Sequence, residues 1–217
     1  MIQSDCPNAV RVGTVSDGGK YICSPWSLPA KCTIYSAGLA YDFSFDTAMV
    51  ALSGEIHGKS RSCKVYGFEA GDVPRRYTDH PNLYGYRYLL SGESKPAEPN
   101  STLASAISIT DLMLKLNHSY VDVFKIDIEG NEYPALHALL NSWPNMTHVP
   151  FACQILIEVH EQLDYCPKLL ANLEKVGYNL FSKEPNPWCP TCIELSYIHE
   201  TCRQQYGATE RYLVNFE

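Results

Sequence analysis

Residues 121–132 read VDVFKIDIEGNE, and no other stretch constrains the fold as tightly. Val121, Val123, Ile126 and Ile128 form a short β-branched apolar run, the composition of a buried parallel strand, and Asp127, Glu129 and Gly130 stand at its downstream end. In open α/β sheets ligands bind just outside the carboxyl ends of the strands, which puts Asp127 and Glu129 where that architecture does its chemistry. A solvated turn favours the same residue types for backbone reasons alone, so the carboxylates take their meaning from the rest of the chain.

The flanking segments repeat the alternation. Residues 32–38, CTIYSAG, read as a strand and loop, and a helix follows from Ser44, its N-cap, with Phe45, Ala48, Met49, Leu52 and Ile56 on one face. Residues 64–69, KVYGFE, form a second strand that ends on Glu69, and residues 83–90 a third in which Tyr84, Tyr86 and Tyr88 alternate, a pattern of sheet packing. Ile109, Leu112, Met113 and Leu116 mark a helix leading into the central strand. Beyond it, Tyr133, Leu136, Leu139 and Leu140 mark another, with Pro134 in its first turn and Pro144 as its stop. A fifth strand, CQILIEV, runs into His160; Leu169, Leu170, Leu173 and Val176 give a helix ended by Gly177; and residues 178–182 and 193–198 close the chain as an antiparallel hairpin. This order predicts an α/β fold: a Rossmann-like, mostly parallel seven-stranded sheet with helices on both faces and a C-terminal antiparallel hairpin. Residues 1–29, with Pro7, Asp17, Gly18, Gly19, Pro25 and Pro29, are expected to be an irregular arm, and residues 30–217 one domain.

A formal charge of -7 with no run of Lys or Arg argues against nucleic acid as a partner. No apolar stretch reaches the roughly 18 to 20 residues that a membrane-spanning helix needs. Nine cysteines and sequons at Asn100, Asn117 and Asn145 favour the secretory pathway or the extracellular space, with a targeting segment outside this chain, over the cytoplasm. Cys6 and Cys23 either staple the arm or pack as thiols. Cys189 and Cys192 form a CxxC with three readings: a local disulfide, pairing with Cys166 or Cys202, or a zinc site with His199 and Cys202.

In such a sheet the loop after the first strand meets the cofactor, and the acid ending the second strand accepts both hydrogen bonds of a ribose diol; here those positions are Ser36, Gly38 and Glu69. The loop SAGLAYDFSFD has a single glycine, so it fails as a dinucleotide or phosphate fingerprint. A cofactor without phosphates needs no glycine-rich cradle, and S-adenosylmethionine is such a cofactor. Asp127 and His160 are the candidate catalytic groups, Asp127 doubling as a cofactor contact, with Glu158 facing a helix partner or fixing the His160 tautomer.

FKIDIEGNEYPAL, preceded by ITDLMLKL and followed by QILIEVH, resembles the FkbM-type methyltransferases. Within that group, DGGKYIC, YSAGLAYDFSFD and VYGFEAG are most similar to the branch that contains methyltransferase-like protein 24. The resemblance implies a Rossmann-like methyltransferase fold, S-adenosylmethionine as donor and transfer to a hydroxyl oxygen on a small-molecule or glycan acceptor. It also implies that Gly38 and Glu69 contact the cofactor and that Asp127 stands beside the methyl donor. Two rival classes remain: a metal-dependent glycosyltransferase using Asp127 and Glu129 as a DxD-like pair, and a methyltransferase-like binding module without turnover. No metal is expected under the methyltransferase reading.

Overall fold

The computed structural model describes residues 3–15, 17–99, 101–102, 104–143, 147–160 and 166–211. The helix stop at Pro144 and the sequons at Asn100 and Asn145 lie outside them. The first 29 residues, expected to be irregular, contain β1 (Gln3–Asp5) and a hairpin of β2 (Ala9–Val12) and β3 (Lys20–Cys23). There follow β4 (Thr33–Ala37), α1 (Ser44–His57), β5 (Lys64–Glu69), α2 (Arg75–Thr78), β6 (Leu83–Arg87), β7 (Leu89–Ser91), β8 (Ala106–Ser108) and α3 (Ile109–Leu116). The second half holds β9 (Val121–Ile126), α4 (Glu132–Ser142), β10 (Ala152–Val159), α5 (Cys166–Lys175), β11 (Tyr178–Pro185), β12 (Ile193–His199), α6 (Arg203–Tyr206) and β13 (Thr209–Arg211).

The main sheet runs β13-β1-β11-β12-β10-β9-β4-β5-β6. Its seven strands from β11 to β6 are the seven read from the sequence, with β12 antiparallel to both neighbours and the other pairs parallel. The chain adds β1 and β13 beyond β11, widening the sheet to nine strands. The expected third strand divides at Tyr88: β6 stays at the sheet edge, while β7 leaves it to pair in parallel with β8. Strand order reverses between β4 and β9, so the crevice opens between the loops that follow these two strands.

Every residue of β9 and of β10 is buried, which a strand covered on both faces requires. On one face Phe124, Ile126, Ile155 and Ile157 pack with Leu112, Leu136, Leu139, Leu169 and Leu173 of α3, α4 and α5. On the other, Val123, Leu156 and Ile198 pack with Phe45 and Met49 of α1 and with Ile22 of β3. Fully burying one such side chain stabilises the fold by roughly 1.5–3 kcal/mol. The N-terminal hairpin therefore packs over β10 and β12 on that face. Gln154, fully buried in β10, fixes it there by accepting from Cys23 N at 2.8 Å and donating to Cys23 O at 3.0 Å.

Two local readings shift. α1 buries Phe45, Asp46, Met49, Val50 and Ser53, so its inner face carries polar groups and Ile56 stays exposed. Its N-cap position is Phe43, not Ser44; Asp42 Oδ1, one residue earlier, accepts from Ser44 N at 2.8 Å, while Ser44 Oγ accepts from Thr14 N at 2.9 Å. The tyrosines of β6 do pack: Tyr66 stacks on Tyr84 and Tyr86, with ring centroids 5.1 and 6.3 Å apart. Disulfides join Cys6–Cys23, Cys32–Cys63, Cys153–Cys202 and Cys189–Cys192, so the arm is stapled and the CxxC closes on itself, leaving Cys166 as the free thiol.

Candidate active site

Where β4 ends, the backbone of β9 comes so close that only glycine fits. A Cβ on Gly38 would lie 1.6 Å from the carbonyl oxygen of Asp127, and its φ of +80° is one that glycine adopts without strain. Asp127 N donates to Ala37 O at 3.0 Å and Gly38 N to Phe68 O at 2.9 Å, which ties the ends of β9, β4 and β5 together. The need for a glycine at position 38 thus comes from a neighbouring strand. Glu69, at the end of β5, accepts from Leu39 N (3.0 Å) and Ala40 N (2.9 Å) on one oxygen and from Gly71 N (3.1 Å) on the other. It lines the crevice and also shapes the loop above it.

Ser36 is fully buried beneath that loop and does not line the crevice, so it is the one expected cofactor contact that the geometry leaves out. It lies instead beside Asp46 of α1. Burial pushes the Asp46 carboxyl up to about 6, against the pull of Lys125 and of the Ser36 hydroxyl. Lys125, penultimate in β9 and 2% exposed, donates to Gly38 O at 3.0 Å.

Across the crevice a second group of charges gathers. Lys20, carried by β3 and buried, places its Nζ 3.2 Å from Asp127 Oδ2, 3.3 Å from Glu158 Oε2 and 2.5 Å from Glu194 Oε1. Burial alone would depress this ammonium; Asp127, Glu194 and Glu158 more than reverse that and hold it charged. For Asp127, burial favours the neutral form, but Lys125, Lys20 and His160 outweigh it and leave the carboxyl below its ordinary value. Glu194 goes the other way: burial, reinforced by Glu158, pushes it up to about 8 despite Lys20.

His160 lies just past β10. Its Nδ1 is 3.1 Å from Glu132 Oε1, and its Nε2 faces Glu129 Oε2 at 3.4 Å, Asp127 Oδ1 at 3.8 Å and Glu158 Oε1 at 3.9 Å. The hydrogen bond to Glu132, opposed by burial and aided by the charges of Glu132, Asp127 and Glu158, pushes its pKa up to about 9. Glu132, in the first turn of α4, also accepts from Ile128 N at 2.7 Å and Gly130 N at 3.0 Å, so it holds the loop after β9 and orients the imidazole together. That role was one of two expected of Glu158, the other being to face a helix partner; Glu158 instead bonds Lys20 and Asn186. Glu129 has φ +55°, uncommon outside glycine and asparagine, and its exposed carboxylate is turned towards His160.

Asp127, Glu132 and His160 are close enough to share a divalent ion. Their donors are already committed: Asp127 to Lys20, Glu132 to two backbone amides and His160 to a proton at neutral pH. The Asp127–Glu129 pair proposed for a nucleotide-sugar site likewise faces Lys20 and His160.

The crevice has a volume of about 480 Å3. Towards β5 it is walled by Gly38, Leu39, Phe68, Glu69, Ala70 and Leu90, with Asp42 and Lys125 also in the lining. The other half is walled by Asp17, Glu129, Glu158, His160, Asn186 and Trp188. Gly38, Glu69, Asp127 and His160 are therefore brought together around one crevice, from which Ser36 is absent. Lys20, Glu132, Asn186 and Trp188 were missed. Lys125 was missed too, although a lysine inside an apolar strand is a signal that could have found it.

A family model described as a methyltransferase domain, Methyltransf_22, matches residues 3–199. The chain belongs to this methyltransferase family. Among solved structures it is similar to the fibrillarin pre-rRNA processing protein of Methanococcus jannaschii, with 12% identity, 88% of this chain and 89% of that chain covered and a TM-score of 0.47. It is also similar to Aeropyrum pernix fibrillarin, solved with natively bound S-adenosyl-L-methionine, with 12% identity, 79% and 68% covered and a TM-score of 0.43. No curated protein matches the chain. The family and the strand order, with its reversal beside Gly38 and Asp127, make this an S-adenosylmethionine-dependent methyltransferase. The donor set suits that cofactor: a carboxylate at the end of β5 for a ribose diol, an apolar slot for adenine, and acids that tolerate a sulfonium.

Proposed function

We propose that this methyltransferase methylates a hydroxyl oxygen on a small or carbohydrate-like acceptor. The observation that carries the reading is His160: Glu132 holds its Nδ1, which leaves Nε2 directed at the crevice beside the ionised Asp127. S-adenosylmethionine would supply an electrophilic methyl group and, in its sulfonium, a leaving group that departs as a neutral sulfide. The chain's task is to hold the acceptor hydroxyl in line and to take its proton. Asp127, kept charged by Lys125 and Lys20, accepts the hydroxyl's hydrogen bond and orients it. Neutral His160 takes the proton at Nε2, and the surrounding carboxylates stabilise the resulting imidazolium. Gly38, Glu69 and Asp127 line the cofactor side, with Glu69 as the ribose contact.

The FkbM-type assignment, and the branch within it, belong to the same reading and are supported by KIDIEG at 125–130 and IEVH at 157–160. A secretory or extracellular location is supported by four disulfides and by the exposed sequon residue Asn117 at the end of α3. Among the described residues no helix is long and apolar enough to cross a membrane.

Two variants test the site. Glu69→Ala should weaken S-adenosylmethionine binding by about tenfold or more, the cost of a lost charge-assisted hydrogen bond, as read by titration calorimetry. Asp127→Asn should lower turnover more than affinity. Unchanged affinity in both would remove these residues from the cofactor site.

A further inference from the structure

Trp188 lines the crevice yet is 71% exposed. An indole left this open is unusual for so apolar a ring, and here its backbone is not free to fold it away. Trp188 N donates to Asn186 Oδ1 at 2.9 Å, Cys189 N donates to Asn186 O at 3.3 Å, and the Cys189–Cys192 disulfide closes the turn. Asn186 is itself buried and donates to Glu158 Oε1 at 2.7 Å and to Asp17 Oδ1 at 3.4 Å. The tryptophan therefore rides on a loop anchored directly to the acids beside His160. The other aromatic side chains of the crevice, Phe68 and Tyr88, come from the β5 and β6 side. Trp188 is thus a one-sided platform on the acceptor half, rimmed by polar groups.

We infer that Trp188 is the acceptor subsite and that the acceptor is an uncharged sugar residue, its C–H face on the indole and a hydroxyl directed at His160 and Asp127. A pyranose ring offers an apolar face to an aromatic and an equatorial belt of hydroxyls to carboxylates, which is what Trp188, Asp17 and Glu129 present together. Asp17, Asp127, Glu129 and Glu158 on the same wall repel uronic or sulfated sugars. A quaternary ammonium would use an aromatic cage, and a single indole does not make one. This inference rests on the methyltransferase reading of the crevice.

Saturation-transfer NMR on the whole chain with S-adenosylhomocysteine present tests it. The probes are the methyl glycosides of glucose, galactose, mannose and xylose, together with N-acetylglucosamine, glucuronate and tetramethylammonium. Ring C–H signals from at least one neutral sugar are expected, with about tenfold weaker binding in Trp188→Ala, recovery in Trp188→Tyr and unchanged S-adenosylhomocysteine affinity in both variants. A signal that survives Trp188→Ala, or one confined to glucuronate or tetramethylammonium, overturns the inference. So does silence from every sugar while S-adenosylhomocysteine binds. Failure of S-adenosylhomocysteine itself to bind would instead strike the methyltransferase reading.

Discussion

His160 shows how one environment sets both the strength of a base and its availability. Glu132, Asp127 and Glu158 raise its pKa to about 9, so the neutral imidazole is a stronger base than usual but a minority species at pH 7. In the proposed mechanism the active form is the deprotonated one. Methyl transfer measured as kcat/KM, which reports the free enzyme, should therefore rise about tenfold per pH unit below a plateau near pH 9. His160→Gln should abolish the slope, and a flat profile in the wild type between pH 6.5 and 9 would remove His160 as the base. The placing of His160, Asp127, Glu69 and Gly38 at one crevice was legible because the strand ends of this architecture face a common cleft. Lys20 was not: it follows two glycines in a segment without periodicity, and only the folded hairpin brings it to Asp127, which lies 107 residues along the chain. Ser36 was misplaced because strand alternation fixes which residues share a face, while the depth of the first-strand loop depends on Gly38 meeting the β9 backbone.

At the level of elements, the N-terminal hairpin is the segment whose role the sequence hid most. It covers the sheet through Ile22, docks on Gln154 and delivers Lys20 into a nest of three carboxylates. Removing one partner of a buried ionic cluster leaves uncompensated charge, which typically costs 3–5 kcal/mol. Lys20→Met should lower unfolding free energy by about that amount in denaturant titrations near pH 7, and Lys20→Arg should restore part of it. A loss under about 1 kcal/mol would mean that the cluster is solvated and that the hairpin is held by packing alone. The long helices were read more easily. α3 has both a regular apolar period and a cap, Ser108 Oγ accepting from Asp111 N at 3.1 Å, whereas α1 turns Asp46 and Ser53 inward and so blurs its own pattern.

Across the whole molecule, the order of strands and helices was legible because each parallel strand is a short apolar run followed by a helix of period 3.6. The edges were not. β1 and β13 have three residues each, too few to show a period, and β6 and β7 read as one strand because Tyr88 continues the tyrosine alternation across the break. What the fold achieves is a crevice at the reversal between β4 and β9, more apolar on the β5 side and more ionic around His160. That division is the basis for assigning a cofactor half and an acceptor half. The most direct measurement is titration calorimetry of the purified chain with S-adenosylmethionine and S-adenosylhomocysteine, alongside a UDP-sugar with Mn²⁺. Micromolar binding of both adenosyl ligands, about 8 kcal/mol, with no heat from the UDP-sugar, is the predicted result. Folded protein that binds neither adenosyl ligand would contradict the account.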